Sequence, residues 1–133
     1  MRPLLHPSIG DVTVSGILHA LSDPVRAAIY AGLAASTCAA SCSDFLRILD
    51  RGIPKSTLSQ HFKVLREAGL IRSARHGVEI RNVSRCEELQ QRFPGLIPAI
   101  LSAHKSEAKV GAAAAKRRAR STAKLISVLN AKP

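Results

Sequence analysis

The 133-residue sequence is poor in aromatic residues, with no Trp, one Tyr and three Phe. Its core must therefore be built from aliphatic side chains, and 46% of all residues are hydrophobic. This composition favours packed helices over a β-sandwich. The length suits one compact domain plus an extension.

Several protein classes are disfavoured by what the sequence lacks. No apolar run approaches the roughly 20 residues that span a bilayer, and the first residues are too short an apolar stretch for a secretory signal. We therefore expect a cytoplasmic protein without a membrane partner. No Ser/His/Asp order, glycine-rich phosphate loop or carboxylate pair indicates an enzyme, and no motif indicates a cofactor. Three cysteines, an odd number, argue against a disulfide scaffold.

Acidic residues are also scarce. The sequence has 20 Lys and Arg but only 9 Asp and Glu, which gives a net charge of +11. The charge is clustered: residues 105–124 contain seven cations and one Glu. A small, strongly basic protein indicates a polyanionic partner, either nucleic acid or an anionic membrane surface.

The chain divides into an N-terminal arm at 1–12, a domain at 13–104 and a basic Ala/Lys/Arg-rich tail at 105–133. The arm contains two Pro and a Gly and is expected to be loose. Apolar residues at helical spacing predict a first helix and, from Pro24, a second one. The first helix would bury Val14, Ile17, Leu18 and Leu21, and the second would bury Val25, Ala28, Ile29 and Leu33.

Further along, Ser41 is a plausible cap for a short helix that ends at Gly52. A turn signal at His76-Gly77 predicts a β-hairpin. Its apolar positions would be Ile71, Val78, Ile80 and Val83. A helix interrupted near Pro94-Gly95 and Pro98 follows.

The segment "KSTLSQHFKVLREAGL", residues 55–70, predicts a helix with two different faces. At 100° per residue, Leu58, Phe62 and Leu65 share one side and pack inward. Ser56, Ser59, Gln60 and Lys63 share the other side. Gln can bind an adenine edge, while Ser and Lys can bind bases or phosphates, so this face fits a major groove. The alternative is an ordinary solvated helix face.

The neighbouring segments favour the DNA-binding alternative. A short helix, a tight Gly/Pro turn and this helix form a helix-turn-helix pattern. The predicted hairpin would be a wing whose cations bind phosphates and thereby position the protein. Those cations are Arg72, Arg75, His76 and Arg81.

The segments "LHALSDPVRAAIYAGLA" and "KSTLSQHFKVLREAGLI", with the hairpin to "NVSR", resemble the ArsR/SmtB family of bacterial transcription regulators. The resemblance runs from about residue 13 to 101. It implies a mainly α fold with a small β-hairpin, a winged helix-turn-helix. It also implies a homodimer through the first and last helices that represses an operon from an inverted repeat in double-stranded DNA, until a small effector releases it.

Carried over by position, the resemblance places the recognition helix at about 54–68. The expected DNA-facing residues are Lys55, Ser56, Ser59, Gln60 and Lys63, with Thr57 and His61 at the flanks. His61 either touches a phosphate or packs between helices. Arg26 is expected to support the fold.

The resemblance also bears on effector binding. Many family members bind metal through a Cys-x-Cys pair, and Ser41 and Ser43 occupy those two positions here. The spaced Asp/His/His/Glu set that would hold zinc in the last helix is also missing. Three interpretations of Cys38, Cys42 and Cys86 stay open: small buried hydrophobes, a redox switch, or a soft-metal site.

Two functions of other classes compete with a dimeric repressor. The basic tail alone could bind nucleic acid or an anionic surface without sequence preference. A thiol oxidoreductase is the third candidate, although Cys38-x3-Cys42 is not the usual redox spacing.

Overall fold

A computed structural model describes residues 3–35, 40–41 and 52–130. The fold is mainly helical with a small antiparallel sheet, as predicted for a winged helix-turn-helix. The chain divides into two compact units, Met1–Ile100 and Leu101–Pro133. The helices are α1 (Val14–Leu21), α2 (Pro24–Ala35), α3 (Lys55–Glu67), α4 (Cys86–Arg92) and α5 (Leu96–Asn130), with a 3-10 turn at Ile9–Asp11. The strands are β1 (Ala40–Ser41), β2 (Ile71–His76) and β3 (Glu79–Ser84).

Local hydrogen bonds explain where the first two helices begin. The Thr13 hydroxyl accepts a hydrogen bond from the Gly16 N–H at 3.0 Å and caps α1. Asp23 does the same for α2, since its Oδ1 accepts from the Val25 N–H at 2.8 Å. Pro24 then occupies the first helical position, where a missing N–H costs nothing.

The buried stripes of these helices differ partly from the prediction. In α1, Ile17 and Leu21 are buried, but Val14 and Leu18 are 41% and 49% exposed. The buried set of α1 includes Ala20 instead. In α2, Ala28 is exposed and Val25 is half-buried. The buried set of α2 is Ala27, Ile29, Tyr30 and Leu33. The spacing correctly predicted that each helix buries one stripe of side chains. The observed stripe is rotated around the helix axis from the predicted one.

The end of α3 is determined by Gly69. Its φ of +84° is the left-handed conformation that glycine adopts most readily. The Leu70 N–H donates to the Leu65 carbonyl and the Gly69 N–H donates to the Arg66 carbonyl, each at 3.0 Å. This pair of bonds is a Schellman motif, and it joins the buried Leu65 to the buried Leu70. The motif turns the chain directly into β2.

The predicted hairpin is present, with β2 paired antiparallel to β3 from Ile71↔Ser84 to His76↔Glu79. Gly77, with φ +65°, makes the turn. The predicted apolar face is only partly correct. Ile71 is buried, but Val78 lies at the fully exposed tip and Val83 is 42% exposed. The hairpin buries polar residues as well, namely Ser73 and Asn82.

A third strand was not predicted. β1 pairs antiparallel with β3, so the sheet order is β1-β3-β2. Ser41 therefore lies in a strand that pairs with Arg81. The short helix predicted to follow Ser41 lies outside the described residues, which resume at Gly52.

The expectation of a loose N-terminal arm was wrong for residues 6–12, which make long-range contacts. The Arg85 guanidinium donates to the Pro7 carbonyl at 2.8 Å. Val12 is 2% exposed, and a Cβ at Gly69 would lie 2.3 Å from its Cγ2. The Pro and Gly content of the arm suggested that it is loose. It did not predict the long-range contacts that hold the arm in place.

The predicted interruption at Pro94-Gly95 is confirmed, because Phe93–Gly95 separate α4 from α5 and Gly95 has a φ of +80°. The interruption predicted near Pro98 was wrong, because Pro98 lies in the first turn of α5, where a proline is tolerated. The basic tail is helical as far as Asn130. In the described part of the chain, no helix is long and apolar enough to cross a membrane.

Candidate nucleic-acid interface

Helix α3 is positioned by its buried stripe. Leu58, Phe62 and Leu65 are at most 2% exposed, as predicted. The helix begins after Pro54, whose carbonyl accepts from the Leu58 N–H at 3.0 Å. The remaining faces point away from the core. Six predicted DNA-facing residues of α3 are exposed: Lys55, Ser56, Thr57, Ser59, Gln60 and Lys63.

His61 and Arg26 meet where α2 faces α3. The Arg26 Nη1 lies 3.4 Å from the His61 Nδ1, and His61 is half-buried. Arg26 also donates through Nε to the Ala20 carbonyl at 2.6 Å and through Nη2 to the His19 carbonyl at 3.3 Å. It thus binds the last carbonyls of α1, which a helix leaves without intrahelical partners. Arg26 supports the fold, and His61 packs against it with its Nδ1 edge.

Ser73 joins the wing to both the recognition helix and the arm. Its hydroxyl accepts from the Arg66 Nη1 at 3.4 Å and donates to the Asn82 Oδ1 at 2.6 Å. Its backbone N–H donates to the His6 Nε2 at 2.9 Å. Partial burial lowers the pKa of His6, and the guanidinium groups of Arg66 and Arg72 lower it further. A neutral imidazole is required for this acceptor role.

Two arginines share one carboxylate beside the wing. Arg72 donates to the Glu88 Oε1 at 2.6 Å, and Arg85 donates to the Glu88 Oε2 from Nε and Nη2 at 2.8 and 2.6 Å. These hydrogen bonds lower the pKa of Glu88. Arg85 is 4% exposed. Arg72, predicted to bind phosphate, is thus already engaged in an ion pair.

The outer face of the wing brings three of its four predicted cations together. Arg72, His76 and Arg81 line a cleft of about 370 Å³. The small Ala74 is paired with Arg81 and lies at the same cleft. Arg81 lies 3.9 Å from the Glu79 carboxylate, and both side chains are about half exposed. Arg75 is exposed but does not line the cleft.

The cysteines are only partly described. Cys86 is a free, exposed thiol at the first position of α4. Cys38 and Cys42 lie outside the described residues. Within the ranges that the structure describes, no group of three or more His, Cys, Asp or Glu could hold a metal ion.

Sequence reasoning missed His6 and Arg85. His6 contacts Ser73 across 67 residues of chain, and no local signal indicates that contact. Arg85 had a signal, since Glu88 follows it by three positions and such pairs meet on a helix. The burial of Arg85 depends on its contact with the N-terminal arm, and residue spacing alone does not predict where the arm lies.

Comparison with protein families identifies the helix-turn-helix region of this geometry. A helix-turn-helix domain model matches residues 21–74, which contain α2, α3 and the first part of the wing. Among curated proteins, none matches the chain. The solved ArsR-like transcriptional regulator from Rhodococcus sp. RHA1 is 25% identical, with 79% of this chain and 91% of that chain covered and a TM-score of 0.47. The domain match and the wing that follows it confirm the winged helix-turn-helix predicted from the sequence, and the chain is a DNA-binding transcriptional regulator with a helix-turn-helix domain.

Proposed function

We propose that this regulator binds double-stranded DNA in a sequence-specific way, as a homodimeric repressor at an inverted repeat. One observation carries the proposal: α3 buries Leu58, Phe62 and Leu65 and thereby exposes a face of short polar and cationic side chains. Such a face can enter a major groove, where Gln and Lys distinguish base edges. The wing cleft would bind the phosphate backbone and position the helix.

The exposed residues of α3 divide by chemistry. Gln60 has the paired donor and acceptor that match an adenine edge, and Lys63 can reach guanine or a phosphate. Ser56 and Ser59 are short enough to allow close approach of the helix to the bases. We assign Lys55, at the start of α3, and Thr57, at its flank, to contacts with the phosphate backbone of the DNA. These assignments follow from side-chain chemistry and exposure.

A homodimer is supported by the exposed apolar side chains of α1. Val14 and Leu18, four residues apart, lie on one side of that helix and are 41% and 49% exposed. Neighbouring apolar side chains on a helix surface favour an interface. We assign the dimer contact to the first and last helices, and a two-fold dimer would bind an inverted repeat because its half-sites mirror its symmetry.

The three cysteines are the candidates for release of the repressor from DNA. Oxidation or a thiophilic ligand at Cys38, Cys42 or Cys86 would weaken operator binding. Cys86 begins α4 and is exposed, so it is accessible to a reagent. We also propose that the protein has no catalytic activity. We propose that it lies in the cytoplasm, where it meets its DNA.

Genomic footprinting at physiological salt tests this function. A regulator protects a short inverted repeat, and the same experiment with peroxide or thiophilic metals tests release. Protection without any preferred sequence would contradict the proposal and favour a binder driven by the basic tail. A chain that ends at residue 104 separates the two further. It should protect the same inverted repeat while binding all sequences more weakly. Loss of all binding by a truncated chain that is still a dimer would also favour the tail-driven alternative.

A further inference from the structure

The positively charged side chains of α5 lie along one side of the helix. At 100° per residue, six of the seven cations between 105 and 124 fall within an arc of about 120°. All six are exposed. We call them the cationic stripe: Lys105, Lys109, Lys116, Arg117, Arg120 and Lys124. The seventh, Arg118, lies about 160° from the middle of the stripe.

The stripe has no internal counter-charge. Glu107 is the one acidic residue between 105 and 124, and it lies about 140° around the helix from the middle of the stripe. Among the ion pairs of the described residues, none involves a stripe residue. Lys116, Arg120 and Lys124 follow one another at four-residue spacing, so their like charges repel along the helix. A polyanion would remove that repulsion.

We propose that the cationic stripe binds the phosphate backbone of duplex DNA, without regard to base sequence. At 1.5 Å per residue the stripe is about 28 Å long, and the same length of duplex carries roughly 16 phosphate charges. Binding releases the condensed counterions of those phosphates, which supplies affinity that depends on salt. The inference goes beyond reading of bases by α3, and it rests on the proposed function only in naming duplex DNA as the polyanion.

The opposite side of the same segment disfavours a membrane. Helices that lie in a membrane interface place Trp, Phe or Leu opposite their cations. Here that side carries small or charged residues instead. They are Glu107, Ala108, Gly111, Ala114, Ala115, Arg118 and Thr122. The large apolar residues Leu125, Ile126 and Leu129 come after the stripe ends.

The chain offers a matched pair of variants. Arg120→Gln removes a charge from the stripe, and Arg118→Gln removes the same charge two residues away on the other side. Both arginines are exposed. The affinity of each full-length variant for a random-sequence duplex is measured over a range of salt concentrations. Circular dichroism checks that helix content is equal in the two proteins.

We expect Arg120→Gln to make the slope of log affinity against log salt shallower by about 0.9 per chain, with a several-fold loss of affinity at physiological salt. Arg118→Gln should leave both unchanged. Replacing all six stripe residues with Gln should reduce the slope by about 5. Equal slopes for Arg120→Gln and Arg118→Gln would overturn the proposal.

A second experiment measures the binding of the same variants to vesicles that contain phosphatidylserine. If Arg120→Gln weakens vesicle binding and leaves DNA binding unchanged, the stripe is a membrane surface and the proposal is wrong. Failure of the proposed function has a different signature: the chain would show no base preference, while the slopes on random-sequence DNA would still differ between the two variants.

Discussion

The backbone N–H of Ser73 donates a hydrogen bond to the Nε2 of His6 at 2.9 Å, although 67 residues separate them. This bond holds the N-terminal arm on the edge strand β2. Ser73 also contacts Arg66 of α3 through its hydroxyl. The position of the arm is therefore linked to the position of the recognition helix through a single residue.

This bond makes stability depend on pH. Partial burial and nearby arginines hold the pKa of His6 below its usual value of 6.5. Above pH 6.5 the imidazole is neutral in both states and its stabilising contribution is complete. As pH falls below 6.5, the unfolded chain takes up a proton that the native chain resists, so stability falls until pH reaches the native pKa.

We expect His6→Ala to lower the free energy of unfolding by about 0.5–1.5 kcal/mol at pH 8, the usual net contribution of a hydrogen bond. His6→Gln is the control, since its amide oxygen can accept from Ser73 but does not titrate. Urea unfolding between pH 5 and 8 should show a smaller pH dependence in both variants than in the original chain. Identical pH profiles in all three proteins would exclude His6 as the titrating group.

We expect replacement of Gly69 to lower the free energy of unfolding more than replacement of Gly77. Gly69→Ala combines a left-handed backbone with a Cβ placed 2.3 Å from the Val12 Cγ2. Gly77→Ala also places an alanine in a left-handed backbone conformation, at φ +65°, but nothing lies within 4 Å of the added Cβ. We expect about 1–2 kcal/mol of destabilisation for Gly77→Ala, and about 1–3 kcal/mol more for Gly69→Ala.

Chemical denaturation of the two variants measures that difference. Val12→Ala in the Gly69→Ala background should recover part of the additional loss, because it removes the Cγ2 that the new Cβ meets. If the two glycine variants are equally stable, the arm does not pack on Gly69 in solution.

The sequence predicted the elements that local chemistry determines. The period of Leu58, Phe62 and Leu65 placed α3 and its buried face, and the Gly77 turn placed the hairpin. What it did not predict depends on distant partners. β1 exists as a strand because β3 is beside it, and two residues carry no strand signal of their own. Arg72 was assigned to DNA, yet it meets Glu88 because β2 and α4 come together.

Arg26 offers a test that separates folding from DNA contact. Its bonds to the Ala20 and His19 carbonyls are charge-assisted, and the Ala20 bond is partly buried, so Arg26→Gln should lower the free energy of unfolding by about 1.5–3 kcal/mol. Because Arg26 faces α1 rather than DNA, the salt dependence of DNA binding should not change under conditions where the variant is folded. Thermal unfolding and titrations at several salt concentrations measure the two effects. A shallower salt slope with unchanged stability would identify Arg26 as a phosphate contact instead.

Gln60 is exposed on the side of α3 away from the buried stripe, so its role in base recognition can be tested without affecting the core. Gln60→Ala should cost about 1–3 kcal/mol of discrimination at one base pair in each half-site, with the free energy of unfolding nearly unchanged. Gln91→Ala, an exposed Gln of α4, is the matched control and should bind the operator as the original chain does. Binding to a library of operator variants measures both. If the two variants show the same affinity and base preference, Gln60 does not contact a base, and the face of α3 that enters the groove must be assigned differently.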